Sequence, residues 1–446
     1  MTALAGLQTA RSLCVWLALL AGLVAPTPGS QKVAALLLLT AVLLGWSDLR
    51  RIPRVLMLLV AVSAVVAAAQ APSALALAVT NTTRLGTLVI AVLLLSGTLG
   101  ASRDVRVLTG SLLSGRPLSR YLGVAFATGV LAVPLNFGAV AVMSALVSRI
   151  KQQSGDGALA RNAARAVLRG FALASICSPL SISVVLTLTM LPGLRLLELI
   201  AATAPFAIAF VLAGTAFREP EMQETALPAS TEPAAASPKS AWLRFAGTIA
   251  AICAGVYVAN HAGGTNYARA VAVSCVAAVA VGLVVRAIKR EPLQIPALAN
   301  VGNELVVLGG SAFLGALAGQ AGSSLLGPAF SLPLWACPLV AFVVPWLLFG
   351  GGGAGLNPIV TGTLVGALLG PIWPPVAVLG LGVGIVCGWG LTVAGTPWSA
   401  NSLLLSRLTG YDAKTAAWGW NLRLSLLALT LAGLLSATLT WLRIAI

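Results

Sequence analysis

Apolar segments of about twenty residues, the length that crosses a hydrocarbon core of about 30 Å as a helix, recur from Leu13 to Leu442. A chain that is 59% hydrophobic and 9% charged, with a mean hydropathy of +0.98, has too little polar surface to face water. The solvent is lipid, and the predicted fold class is an all-α polytopic membrane protein of about ten to eleven transmembrane helices.

A formal net charge of +16 invites a nucleic-acid reading, but the arginines fall in short gaps between apolar segments. The positive-inside rule accounts for them better: Asp48 to Arg54, Arg103 to Arg120, Arg149 to Arg169 and Arg286 to Arg290 are predicted cytoplasmic loops. The weakly charged gaps at 25–30 and 260–264 are then external. Six cysteines are scattered without CxxC spacing, so neither a metal site nor a disulfide framework is expected. Residues 1–25 place Arg11 ahead of an apolar run as a signal peptide does, but Ala25-Pro-Thr-Pro is a poor cleavage site, and the segment is expected to be a membrane helix.

Hydrophobicity collapses between Phe217 and Ser240 into a Glu-, Pro-, Ala- and Ser-rich stretch that cannot bury a core. The predicted organisation is an extra helix at 1–30, a first membrane repeat at 31–213, a soluble flexible linker at 214–241 and a second repeat at 242–446. Three motifs recur in order across the halves: the segments beginning at Asn81 and Asn300, Pro134-Leu-Asn-Phe-Gly and Gly355-Leu-Asn-Pro, and Ser178-Pro-Leu-Ser and Thr396-Pro-Trp-Ser. Counted from a cytoplasmic N-terminus, the unpaired first helix makes the second repeat inverted, and the arginine clusters at 49–54 and 286–290 then both fall inside.

Between Arg120 and Arg149 the apolar run breaks at Asn136, leaving arms of about 13 residues, too short to span at about 1.5 Å per residue. A hairpin that turns in mid-membrane is expected, with a counterpart from Pro333 to Leu369 broken between Phe349 and Pro358. Unwound backbone at that depth needs protein or water to satisfy it, so a polar cavity is predicted. Its candidate lining is Asn136, Gly138, Ser178, Ser181, Ser183, Asn357, Thr361, Thr396, Ser399 and Asn401. For Gly350 to Gly355 the competing role is close helix packing, and for any one hydroxyl it is a bond to its own helix. Arg84 and Glu304, in corresponding apolar segments, are possible charge partners, whereas Glu198 beside Arg195 suits an interface. His261, the sole histidine, falls in an external gap, which disfavours a histidine proton relay.

A lone helix followed by two inverted repeats, each with a hairpin and a broken helix, resembles the ion transporter superfamily, especially its divalent anion:sodium symporter and arsenite-permease-like branches. The symporter branch carries Ser-Asn-Thr at both hairpin tips; here the tips read Leu135-Asn136-Phe137 and Leu356-Asn357-Pro358, which keep only the asparagine. The resemblance implies a dimeric secondary transporter of elevator type, whose hairpins and broken helices move as one body past a scaffold. The cargo expected in the predicted cavity is a small anionic or polar solute, and the compact loops and the Ala/Leu/Arg bias suggest a multi-pass protein of a bacterial inner membrane. No cofactor, catalytic residue or metal is expected, and the coupling ion, sodium or proton, is left open. A membrane-embedded lipid-processing enzyme and a non-transporting structural subunit are the alternatives; the first would need clustered carboxylates or histidines, which this chain lacks in sequence.

Overall fold

A computed structural model describes residues 2–24, 27–100, 105, 108, 116–221, 238–290, 298, 301–326 and 330–446. Among these the protein is all α-helical, and eleven stretches are long and apolar enough to cross a membrane. The polytopic membrane architecture follows from that content. Most of the arginine cluster expected at 103–120 and most of the linker lie outside the described residues.

The chain divides into two compact units. The first comprises Met1–Thr98, Ile252–Ser331 and Thr363–Ile372. It is built from α1 (Thr2–Val24), α2 (Pro28–Leu44), α3 (Arg51–Gln70), α4 (Pro72–Gly100, nearly all of it), the second half of α10 (Pro238–His261), α11 (Tyr267–Ile288) and α12 (Gly302–Leu326). Pro28 at the first helical position and the Thr27 cap, which accepts from the Ser30 amide at 3.2 Å, start α2 where the sequence turns. Small residues let these helices approach closely: a Cβ on Gly22 would sit 2.1 Å from Thr87 Oγ1, and one on Gly86 2.7 Å from Leu38. Among the described residues of this unit the one strongly buried cation is Arg11, which is 4% exposed and ion-paired to Asp48 in the turn before α3. The hydrogen bond from Arg11 holds the Asp48 carboxyl below its usual range.

The second unit comprises Leu99–Ala251, Leu332–Gly362 and Trp373–Ile446. It holds α5 (Pro117–Leu135), α6 (Phe137–Ser154), α7 (Ala158–Cys177), α8 (Ile182–Met190), α9 (Leu196–Ala213), α13 (Cys337–Gly353), the start of α14 (Pro358–Leu369), α15 (Val378–Gly395), α16 (Ala400–Thr409) and α17 (Trp420–Ala445). At its centre, α15 is buried on every side. Its uninterrupted apolar sequence and glycines permit this: Gly380 lies against Thr440 of α17, Gly388 against Pro345 of α13, and Gly390 against Ile176 of α7, each too close for a side chain.

Three expectations need correction. The arms flanking Asn136 are 19 and 18 residues long, because helix begins at Pro117 and runs on to Ser154; α5 is therefore long enough to span by length alone. Gly350 to Gly353 continue α13 instead of breaking it, and the turn is confined to 354–357. Packing is the reason for two of those glycines: a Cβ on Gly351 would stand 2.5 Å from Thr361, and one on Gly352 2.2 Å from Thr392.

The third concerns Arg149 to Arg169, where the only break in helix is the short connection between α6 and α7. Arg161, Arg165 and Arg169 recur at helical spacing along α7, and Arg169 is fully buried. Its guanidinium donates to the Asn421 side chain (2.8 Å), the Gly214 carbonyl (2.7 Å) and the Tyr121 hydroxyl (3.1 Å), so carbonyl dipoles at the end of α9 help to solvate it. Arg165 pairs with Glu219 at 2.6 Å, and Arg120 with Glu221 at 2.8 Å. Asn162 donates to the Glu221 carboxylate and accepts from the Glu219 amide. Arg218 to Glu221, within the expected flexible linker at 214–241, are thus strapped onto this unit.

Candidate functional site

Two helices of the second unit are interrupted by proline, and the interruptions share one hydrogen-bond design. A proline supplies no amide to the carbonyl four residues before it, so Pro179 strands the Ser175 carbonyl and Pro397 strands the Val393 carbonyl. In the first break Ser181 Oγ donates to the Ser175 carbonyl (3.2 Å) and accepts from the Val184 amide (3.3 Å), capping α8. In the second, Ser399 Oγ donates to the Val393 carbonyl (3.0 Å) and accepts from the Ser402 amide (3.2 Å), capping α16. A second donor reaches the same carbonyl in each: the Ser183 hydroxyl to Ser175, and Asn401 Nδ2 to Val393 at 3.4 Å. Backbone bonds repeat as well, from the Ser178 amide to Ala174 and from the Thr396 amide to Thr392. Every member of one set has its counterpart at a constant spacing in the other.

Two turns complete the site. Asn136, between α5 and α6, holds φ +48° and ψ −126°, a left-handed conformation that costs a non-glycine residue about 1–3 kcal/mol. Between α13 and α14, Gly355 takes the positive φ of +93° and Asn357 caps α14, its Oδ1 accepting from the Ile359 amide at 2.9 Å.

These four segments line one cavity of about 50 Å³ within the second unit. Asn136, Ser181, Ser183, Asn357 and Ser399 contribute to its wall. The starts of α6, α8, α14 and α16 all reach it, and helix starts carry positive potential and amides without intrahelical partners.

Other predicted residues are held beside the cavity without lining it. Ser178 accepts from the Leu180 amide, Thr361 and Thr396 donate to their own helices at Pro358 and Thr392, and Gly138 follows Phe137 in α6. Asn401 is fully buried, and its Oδ1 has no hydrogen-bond partner among the described residues. Arg84 and Glu304 belong to the first unit: Arg84 is exposed on α4, Glu304 Oε2 is buried, and no ion pair joins them among the described residues. Glu198 pairs with Arg195 (3.6 Å) and Arg443 (3.3 Å).

Sequence reasoning missed the apolar wall. Phe137 and Phe171 stack with centroids 5.7 Å apart, and Trp389 packs against α14 at Gly362, where a Cβ would be 2.7 Å from the indole. Ser175 was findable, since the residue four before a mid-membrane proline always owns the stranded carbonyl. No family model matches the chain, and no curated protein matches it.

Proposed function

We propose that the protein is a secondary active transporter that binds a small anionic or polar solute in the cavity between the two turns and the two broken helices. The observation that carries this reading is the duplicated hydrogen-bond design at Ser175–Ser183 and Val393–Asn401, both halves of which face one cavity. A structural subunit needs neither interruption in its most buried helices, since each gives up ladder bonds that the cap side chains only partly replace.

In this proposal α5–α6 and α13–α14 are re-entrant hairpins of two inverted repeats, and the unit that carries the cavity moves past the other between membrane faces. A homodimer in a bacterial inner membrane belongs to the same reading.

Reconstitution into proteoliposomes tests the reading. Counterflow of a labelled solute is expected from the native protein and is expected to fall at least about tenfold in Asn136→Gly, which keeps the turn but removes the amide. Counterflow of no solute, under any sodium or proton gradient, from well-folded protein would overturn it.

A further inference from the structure

Arg84, exposed on α4 in the first unit, is engaged by no hydrogen bond and no ion pair among the described residues. Inside other helices the protein engages its arginines: Arg11 pairs with Asp48, Arg165 with Glu219, and Arg169 donates to carbonyl, amide and phenol oxygens. We propose that Thr80, Asn81 and Arg84 form a second binding site, separate from the cavity, for the oxyanion of a phosphate or carboxylate group.

Depth is the first argument. At 29 residues α4 is about 42 Å long, and Arg84 is about 18 Å from its start. Wherever a hydrocarbon core of about 30 Å falls along that length, Arg84 lies at least about 6 Å inside it. A guanidinium at such depth needs an anion or water beside it, and α4 has no acidic residue to serve.

The neighbouring side chains are the second argument. Thr82, Thr83, Thr87 and Thr98 each donate to the α4 carbonyl four residues back, the usual fate of a membrane threonine. Thr80 does not, and Asn81 makes no hydrogen bond either among the described residues; both are half-buried. At about 100° per residue, positions 80, 81 and 84 fall within one arc of about 100°, so a hydroxyl, an amide and a guanidinium share a face. That face stops at Arg84, because Leu85 to Val92 are all buried, with Gly86 against Leu38 of α2 and Thr87 against Gly22 of α1. An oxyanion seated there receives the paired N–H groups of the guanidinium and two neutral donors, the recognition for which arginine is suited. Two sources supply such a group, the headgroup of an anionic phospholipid and a soluble anion.

The experiment is thermal unfolding of the purified full chain in dodecyl maltoside, an uncharged detergent without phosphate, titrated in one arm with phosphatidylglycerol and in the other with inorganic phosphate or succinate. The native protein is expected to be stabilised saturably in at least one arm. The half-saturating concentration is expected to rise at least about tenfold in Arg84→Gln and a few fold in Asn81→Ala, which also carries the test should the first variant not fold. Arg149→Gln, which removes an exposed and unengaged arginine of α6, is expected to leave it unchanged. Sensitivity to Arg84 in the phosphatidylglycerol arm alone assigns the site to a lipid headgroup, and the same sensitivity with phosphate or succinate assigns it to a soluble anion. Three results would overturn the proposal: no stabilisation by any probe, stabilisation that both site variants leave intact, or an equal loss in Arg149→Gln, which marks unspecific attraction to surface charge. The transport reading is decided separately, by counterflow.

Discussion

Asn136 joins a conformational cost to an unengaged amide, and the two separate by substitution. Glycine relieves the positive φ, so Asn136→Gly is expected to unfold at the same temperature as the native protein or higher, by up to about 1 kcal/mol in stability, while binding is lost. Asn136→Ala keeps the strain without asparagine's tolerance of it and is expected to be the less stable of the pair. A thermal melt in detergent with a binding assay on both variants decides this, and equal stability of the two would show that the turn is not strained. Asp48 offers a pH test at the same scale. Its folded pKa is depressed by the bond from Arg11, so the pair stabilises the fold above the usual carboxylate range near pH 4 and that contribution disappears as pH falls through the lower folded value. The acid limb of the stability profile is expected to flatten in Asp48→Asn, whose melting temperature at neutral pH should be lower.

Among the elements, the two broken helices show what a sequence discloses and what it withholds. Proline inside an apolar run, followed two residues later by serine, is a local signal, and the caps at Ser181 and Ser399 stand where it puts them. Asn136 and Asn357 were legible for the same reason, as polar punctuation in apolar sequence. Trp389, Phe137 and Phe171 were not, since an aromatic residue in a membrane helix has the same pattern whether it meets lipid, another helix or a cavity. Arg161, Arg165 and Arg169 misled in the opposite direction: the positive-inside rule treats arginine as a loop marker, and it has no means of foreseeing the Glu219 carboxylate brought to Arg161 and Arg165 or the Gly214 carbonyl brought to Arg169. Matched elements should respond alike. Ser181→Ala and Ser399→Ala each remove one cap and are expected to cost about 1 kcal/mol, with loss of binding in both. A binding loss confined to one of them would separate the two breaks in function.

For the molecule as a whole, the division into two units follows no simple sequence boundary. Each unit draws on both halves of the chain, and α14 passes from one to the other after Gly362. The composition change between Phe217 and Ser240 conceals the strap formed by Arg218 to Glu221. Arg120 and Glu221 have side chains only 6% and 4% exposed, so removing either breaks a buried ion pair. Arg120→Ala or Glu221→Ala is expected to cost about 3–5 kcal/mol, and the charge exchange Arg120→Glu with Glu221→Arg to recover part of that, as read by thermal unfolding.

The central claim is that the cavity is a solute site open in turn to the two faces of the membrane. Cysteine placed at Asn357, in a chain whose six native cysteines are replaced, can be probed with an impermeant thiol reagent from each side of oriented vesicles. Labelling from both faces, slowed by a transported solute, is the expected result; a thiol that stays inert from both faces with and without solute would contradict the claim and leave a packed structural protein.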